Sequence, residues 1–313
     1  HIDGLGNSGG LSQSSGELHV GAGGVTLDSY SQSGGMLTSV GPITLNSFAQ
    51  TGGSTATQGD FNVNGDFSQG PNGTVEVGGN ANITDTHGGT TLGNLTVAGN
   101  ANVTSTDGDI TQAGGTAVTV AGTTTLNATR GGKPANIELG NAGNDFGGPV
   151  NASGQHITLA DHAGGLTLGT INASGDFNAT STGGSIGQSG GGIVTVAGTT
   201  TLDASSGGQP ANITLANGGN TFSGPFNANG ADILLNAAGG LIFGAVVSQG
   251  NVQVAALGDI GQMVGGSFTV SGEGIFQSLN GAIRLDSGNN FFGGGLQTLD
   301  TSNTDQTHVI TPS

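Results

Sequence analysis

The sequence predicts an all-β fold, a single-stranded parallel β-helix (β-solenoid) with about 19 residues per coil. Three observations lead to this prediction. A long internal repeat returns after 76 residues, short apolar-x-apolar triplets recur along the chain, and glycine supplies 66 of the 313 residues. Repetition on this scale is typical of stacked structural units. The triplets indicate strands with one buried side, and glycine supplies the positive φ angles of tight turns.

The long repeat is clearest in two phrases. Val-Thr-Val-Ala-Gly-Thr-Thr-Thr-Leu occurs at 118–126 and again at 194–202. Gly-Asn-Asp-Phe-Gly-Gly-Pro at 143–149 returns as Gly-Asn-Thr-Phe-Ser-Gly-Pro at 219–225. Because a single coil cannot bury its inner face, such copies must stack to form a core.

These phrases divide the chain into super-repeats near 95–170 and 171–246, with a degraded third copy at 247–299. The head of the chain keeps a similar period, so we expect one continuous β-solenoid over residues 1–313. The chain opens at His1 without Met. We therefore expect it to be an excerpt of a longer protein.

Triplets with apolar ends mark the predicted strands. They begin at Val25, Ile43, Phe61, Leu95, Val118, Ile137, Ile157, Phe177, Val194, Ile213, Ile233 and Val252. No stretch has apolar residues at the helical spacing i, i+3, i+4 and i+7, so almost no helix is expected. Within the repeated nonapeptide, Val118 and Val120 should point inward, Ala121 and Gly122 should turn the corner, and the next side should begin at Thr123.

Composition excludes several classes of partner. The chain has 20 acidic residues against 3 Lys and Arg, a net charge of −17. Nucleic acid and anionic membranes both require clustered cations, so neither is an expected partner. No apolar run is long enough to span a bilayer. With one Tyr and no Trp or Cys, the core should consist of small aliphatic side chains in thin layers.

The repeated phrases resemble the repeat regions of filamentous haemagglutinin-like exoproteins, which are bacterial adhesins exported by two-partner secretion. The resemblance is best from about 95 to 285. It implies a right-handed parallel β-helix, a secreted or cell-surface location, and roles in adhesion, aggregation or biofilm. The secretion domain of that family carries Asn-Pro-Asn-Gly. Here Gly70-Pro71-Asn72-Gly73 is a partial match, which we interpret as a turn and do not assign to that domain.

The alternative to a structural rod is a β-helical polysaccharide-degrading enzyme, which needs paired acids or a cationic base. Candidate acids are Asp107 with Asp109 and Asp60 with Asp66, and candidate cations are Arg130 and Lys133. Gly183 and Ser185 replace Asp107 and Asp109 in the next copy, and the Arg130–Lys133 loop loses its charges there too. We therefore expect turn residues bonding their own backbone, no catalytic residue and no enzyme activity.

Metal and modification motifs are weak. Tandem calcium nonapeptides and EF-hand loops are absent. The six histidines (His1, His19, His87, His156, His162 and His308) include one close pair, His156 and His162, without a completing ligand set. We predict no metal and no cofactor. Asn-x-Thr sequons begin at Asn82, Asn94, Asn102, Asn127, Asn178 and Asn212.

The sequence thus favours an extracellular structural or adhesive rod. Its expected partners are a host or bacterial cell surface, extracellular polysaccharide or matrix, and other copies stacked end to end, since terminal coils expose an edge that can pair. The alternative left open is a passive stalk that presents a toxin or receptor-binding domain outside this segment.

Overall fold

The structure, a computed structural model, describes residues 5–300 and 309–310. Every regular element in these residues is a β-strand, and no helix occurs among them. Nearly all strand pairings are parallel, between segments one coil apart. The predicted fold class, an all-β parallel β-solenoid, is confirmed. The chain divides into two units, His1–Asp161 and His162–Ser313, which are described separately.

The first unit contains twenty strands. They are β1 (Leu5–Gln13), β2 (Glu17–Val20), β3 (Val25–Gln32), β4 (Met36–Ser39), β5 (Ile43–Gln50), β6 (Gly53–Thr57), β7 (Phe61–Gln69), β8 (Gly73–Val77), β9 (Ala81–Asp85), β10 (Thr90–Leu92), β11 (Asn94–Val97), β12 (Ala101–Ser105), β13 (Ile110–Gln112), β14 (Val118–Val120), β15 (Thr124–Arg130), β16 (Lys133–Pro134), β17 (Ile137–Leu139), β18 (Asp145–Phe146), β19 (Val150–Gly154) and β20 (Ile157–Asp161).

The second unit contains the remaining strands of the described residues. They are β21 (Leu166–Ala173), β22 (Phe177–Ser181), β23 (Gly183–Gly184), β24 (Ile186–Gln188), β25 (Val194–Val196), β26 (Thr200–Ser206), β27 (Gln209–Pro210), β28 (Ile213–Leu215), β29 (Thr221–Phe222), β30 (Pro225–Gly230), β31 (Ile233–Ala237), β32 (Leu241–Ser248), β33 (Val252–Ala256), β34 (Ile260–Val270), β35 (Gly274–Ser278), β36 (Arg284–Leu285), β37 (Phe291–Phe292), β38 (Leu296–Asp300) and β39 (Val309–Ile310).

Each coil of the first unit has three sides, and each side stacks on its equivalent in the next coil. Face A consists of β2, β4, β6, β8, β11, β14 and β18. Face B consists of the first halves of β3, β5 and β7, followed by β9, β12, β15 and β19. Face C consists of the second halves of β3, β5 and β7, followed by β10, β13, β17 and β20.

The second unit is three-sided in the same way. Face D contains the second half of β21, then β25 and β29, and later the first parts of β32 and β34. Face E contains β22, β26, β30, the second parts of β32 and β34, and β37. Face F contains the first half of β21, β24, β28, β31, β33, β35 and β38.

Coil length varies while the strands stay in register. The step is 18 residues from Val25 to Ile43 and 26 from Thr124 to Val150. The extra residues lie in the corners, where an insertion breaks no strand pairing. The predicted period of about 19 residues therefore describes the shorter coils. Handedness and a single rod over 1–313, both expected from the sequence, stay predictions.

The super-repeat is longer than a whole number of coils by one side. Phe177 lies on face E, whereas Val252, its counterpart in the third copy, lies on face F. Val194 lies on face D, and its counterpart Phe268 lies on face E. Equivalent residues of these copies therefore occupy successive faces. The triplet spacing could not show this, because it carries no information about which side a strand forms.

The nonapeptide folds as predicted. Val118 and Val120 are buried and Thr119 between them points outward. Ala121 and Gly122 form the bend before β15 begins at Thr124. Alternation of buried and outward residues along one strand follows from the two-residue period of β structure.

Aromatic stacks are the part of the core that the composition did not predict. In the first unit the Tyr30, Phe48 and Phe67 rings stack on successive coils, with centroids 6.1 and 5.3 Å apart. In the second unit Phe243 and Phe268 meet edge to face at 5.1 Å. The expectation of a purely small-aliphatic core is therefore wrong for these coils. A three-sided coil has room for one ring per layer, so few aromatic residues suffice.

The buried phenol of Tyr30 predicts a pH dependence of stability. Burial raises its pKa to about 12 from the ordinary 10, although a hydrogen bond with Thr55 acts in the opposite direction. The unfolded chain loses this proton first, so its contribution to stability is complete below pH 10 and falls as pH rises towards 12. Absorbance of the phenolate reports this directly, because the chain has one Tyr. A midpoint near 10, or the same alkaline loss of stability in Tyr30→Phe, would contradict this assignment.

Candidate functional site

The structure brings three of the charged residues flagged in the sequence to one hairpin and places Lys133 on the same turn. Strands β15 and β16 pair in antiparallel fashion around Gly131 and Gly132, with Arg130 opposite Lys133. Asp107 forms a β-bridge with Arg130. The guanidinium Nη2 of Arg130 donates to Oδ2 of Asp109 at 3.1 Å, at a largely exposed position.

Both carboxylate oxygens of Asp109 have partners. Oδ2 accepts from Arg130, and Oδ1 accepts from the backbone N–H of Asn136 at 2.9 Å. Asn136 lies one coil further on, so Asp109 ties two coils together and does not bond its own turn, as expected from the sequence. A general acid or base needs an oxygen free to reach a substrate. The geometry of Asp109 is that of a structural residue.

The same hairpin recurs without charge in the second unit. Gly183 pairs with Ser206, and Ser206 pairs with Gln209 across the turn. Because the hairpin forms there without acids or cations, the charges of the first hairpin are not needed for its fold. They also form no constant constellation across the copies.

The second acid pair splits between two roles. Asp60 Oδ1 accepts from the backbone N–H of Asn80 at 2.8 Å, and Asn80 in turn accepts from Asn100 at 2.9 Å. This corner ladder joins successive coils. Asp66 instead faces His87, whose Nδ1 lies 3.0 Å from its Oδ1 at an exposed position.

The histidines make separate surface contacts. His19 Nδ1 lies 2.6 Å from the Thr38 hydroxyl, and His162 Nδ1 lies 3.1 Å from the Thr182 hydroxyl. His156 belongs to the first unit and His162 to the second, whereas His1 and His308 lie outside the described residues. No group of three or more His, Cys, Asp or Glu side chains in the described ranges is arranged to hold a metal ion.

The remaining motifs lie at the surface. Gly70–Gly73 forms a turn, as predicted. The sequon asparagines are exposed at 102, 127, 178 and 212 and half-buried at 82 and 94, and their modification stays a prediction. Among residues 5–300 and 309–310, no helix meets the length and hydropathy needed to cross a membrane.

A buried amide pair is the most constant polar feature, and the sequence reasoning missed it. In the second copy Gln188 Nε2 donates to Asn220 Oδ1 at 2.6 Å, and Asn220 Nδ2 donates back to Gln188 Oε1 at 3.1 Å. Asn220 Oδ1 also accepts from the backbone N–H of Val194 at 2.9 Å. The pair therefore fixes the corner before β25 and satisfies a buried donor.

The pair recurs in the other two copies. Gln112 with Asn144 and Gln262 with Asn290 make the same reciprocal contacts, at 2.6 to 3.0 Å. In the sequence, Ile-x-Gln and the Asn before the Phe or Thr-Phe phrase both return with the long repeat. Their recurrence was the available signal. It could not show that residues about 30 positions apart share one buried corner.

The largest outward feature of the first unit is a groove along face A. Its volume is about 810 Å³. It crosses strands β4 to β18, and side chains from each coil line it, among them Thr38, Glu76, Thr96, Thr119 and Asp145. At about 4.8 Å per stacked strand, five steps give a length of roughly 24 Å. The groove offers hydroxyls and two carboxylates beside small apolar side chains such as Ala98.

Comparison with known proteins gave one match. The profile of a family described as "Repeats of unknown function (DUF5649)" matches residues 81–153, 154–229 and 230–299. The three matched segments have the same period as the super-repeats, with earlier boundaries. Searches of curated proteins and of solved structures gave no match.

Proposed function

We propose, from the premise that this chain belongs to the family of repeats of unknown function, that it is an extracellular structural and adhesive repeat region of a bacterial surface exoprotein. In this proposal it mediates adhesion, aggregation or matrix contacts and catalyses nothing. The resemblance of its repeated phrases to filamentous haemagglutinin-like exoproteins supports the secreted location. The inward residues and amide pairs, kept while outward charges change, support a frame that displays a variable surface.

The single observation that carries an adhesive role is the groove on face A of the first unit. It is open, polar and about 24 Å long by the stacking distance. A regular row of Thr96 and Thr119 hydroxyls, one per coil, suits an extended polymer better than a small compact ligand. A passive stalk has no use for such a groove, so the groove favours direct contact over simple presentation of another domain.

Charge narrows the class of polymer. Glu76 and Asp145 line the groove, and the chain carries a net charge of −17. A polyanion would be repelled at low and moderate ionic strength. The ligand we propose is therefore an extracellular polysaccharide with neutral or amine-bearing sugars.

Calorimetric titration of the full chain with chitosan oligosaccharides, a neutral glucan and a polyanionic glycan tests this assignment. Thr96→Trp fills the groove and should weaken binding at least about tenfold, as loss of a central contact does. Asn102→Trp is the matched control, since Asn102 is exposed on face B of the same coil. It should leave binding unchanged.

Three results would count against the proposal. They are preference for the polyanion, equal losses in the two tryptophan variants, and no binding to any of the three glycans. The last result would favour the passive stalk.

A further inference from the structure

One corner loop recurs in all three copies with the same backbone and a different tip. It reads Gln-Ala-Gly-Gly-Thr at 112–116, Gln-Ser-Gly-Gly-Gly at 188–192 and Gln-Met-Val-Gly-Gly at 262–266. The fourth residue of each loop is a glycine in the left-handed region, with φ of 77°, 84° and 79°. The glutamine that opens each loop belongs to the buried amide pair. The three loops are therefore equivalent by backbone and by anchoring.

The fold needs no large side chain at the tip of this loop. At Gly114 and Gly190, an added Cβ would meet nothing within 4 Å. The third copy places Val264 at the corresponding position, fully exposed, beside Met263, which is 42 % exposed. Two adjacent apolar side chains thus face solvent where the other copies show that small residues suffice. Exposed apolar clusters of this kind mark interaction surfaces.

The loop tip borders a groove on face D of the second unit, with a volume of about 930 Å³. Ile242, 46 % exposed, extends the apolar wall that Met263 and Val264 begin. Arg284 and Asp286, both exposed, lie in the same groove. Arg284 is one of only 3 Lys and Arg residues in the chain. The patch therefore combines an apolar wall with charges of both signs.

We propose that this patch, formed by Ile242, Met263, Val264, Arg284 and Asp286, binds the same patch of a second copy of the chain about a two-fold axis. In such a contact each residue meets the partner's patch, so Arg284 can face the partner's Asp286 while the apolar walls pack together. Two copies with a charge of −17 each repel one another over most of their surfaces. A patch with its own cation and an apolar centre removes that obstacle. This contact goes beyond the proposed function and needs neither a receptor nor a polysaccharide.

Sedimentation equilibrium of the full chain over a range of concentrations tests the contact. The parent should show a monomer–dimer equilibrium. Met263→Ser with Val264→Gly gives the tip that the second copy already carries, so the fold tolerates it. This double variant should raise the dimer Kd at least about tenfold, the loss of roughly 1.4 kcal/mol expected of a central contact. Arg284→Glu should raise the Kd in the same direction.

The control is Val40→Ser, which removes a side chain that is 53 % exposed in the first unit. It should leave the dimer Kd unchanged. A parent chain that stays monomeric at every concentration overturns the proposal. So does a dimer whose Kd survives the double variant, or one that Val40→Ser weakens equally.

Discussion

Val196→Asp is expected to destabilise the coils around β25 by more than about 3 kcal/mol, because it places an ionisable group in a dry core without a partner. Val196 is fully buried and lies in register with Ala173 and Phe222 of the neighbouring coils. Repeat proteins lose structure locally, so the damage should be greatest in the coils that touch β25. Hydrogen exchange read strand by strand measures it, and urea unfolding gives the overall loss.

Thr195→Asp is the matched control for this change. Thr195 precedes Val196 on the same strand and points to solvent. The same charge at this position should change stability by less than about 0.5 kcal/mol, as is usual for exposed substitutions. Equal losses at the two positions would mean that β25 does not have the inward and outward sides described.

Asn220→Leu is expected to cost about 2–4 kcal/mol, the second largest effect. The change leaves the Val194 N–H and both ends of the Gln188 amide without their partner inside the core. Each unsatisfied buried group costs about 1–3 kcal/mol. Exchange of the Val194 amide hydrogen should accelerate strongly, since its acceptor is the Asn220 oxygen.

Asn178→Leu controls for the removal of an asparagine, because Asn178 is exposed on β22. It should leave exchange at Val194 unchanged. Slow exchange of the Val194 amide in Asn220→Leu would show that this amide pair does not hold the corner.

The inward strand residues were predictable from the sequence because alternation has a fixed physical meaning. A buried Val118 and Val120 with an outward Thr119 follow from the pleat of any strand. The three-sided coil was not predictable in the same way. Triplets at similar spacing, such as Val118 and Ile137, lie on different faces, and only pairing in space separates them.

Buried polar groups were the larger omission. Gln32, Gln50 and Gln69 form a ladder inside the first unit, with amide contacts of 2.8 and 3.1 Å between successive coils. Composition places such residues at the surface by default. Their burial becomes understandable once each amide also reaches a backbone carbonyl, as Gln50 does with Thr74 at 3.0 Å.

The outward acids were interpreted correctly as unshared between copies, but their partners were not foreseen. Asp109 and Asp60 accept backbone N–H groups of the following coil. Sequence reasoning expected turns closed on their own backbone, because local bonds are the only ones that a linear sequence reveals. In a solenoid the nearest unsatisfied donor lies one coil away.

The central claim is that the chain forms an adhesive frame whose outward charges do no chemistry. Its most direct test compares cells that display the parent with cells that display Asp107→Asn with Asp109→Asn, scoring aggregation alongside polysaccharide cleavage by each purified protein. We predict equal aggregation and no cleavage by either protein, because Asp109 serves the adjoining coil and the second copy lacks both acids. Cleavage by the parent that disappears in the double variant would contradict the account and favour an enzyme.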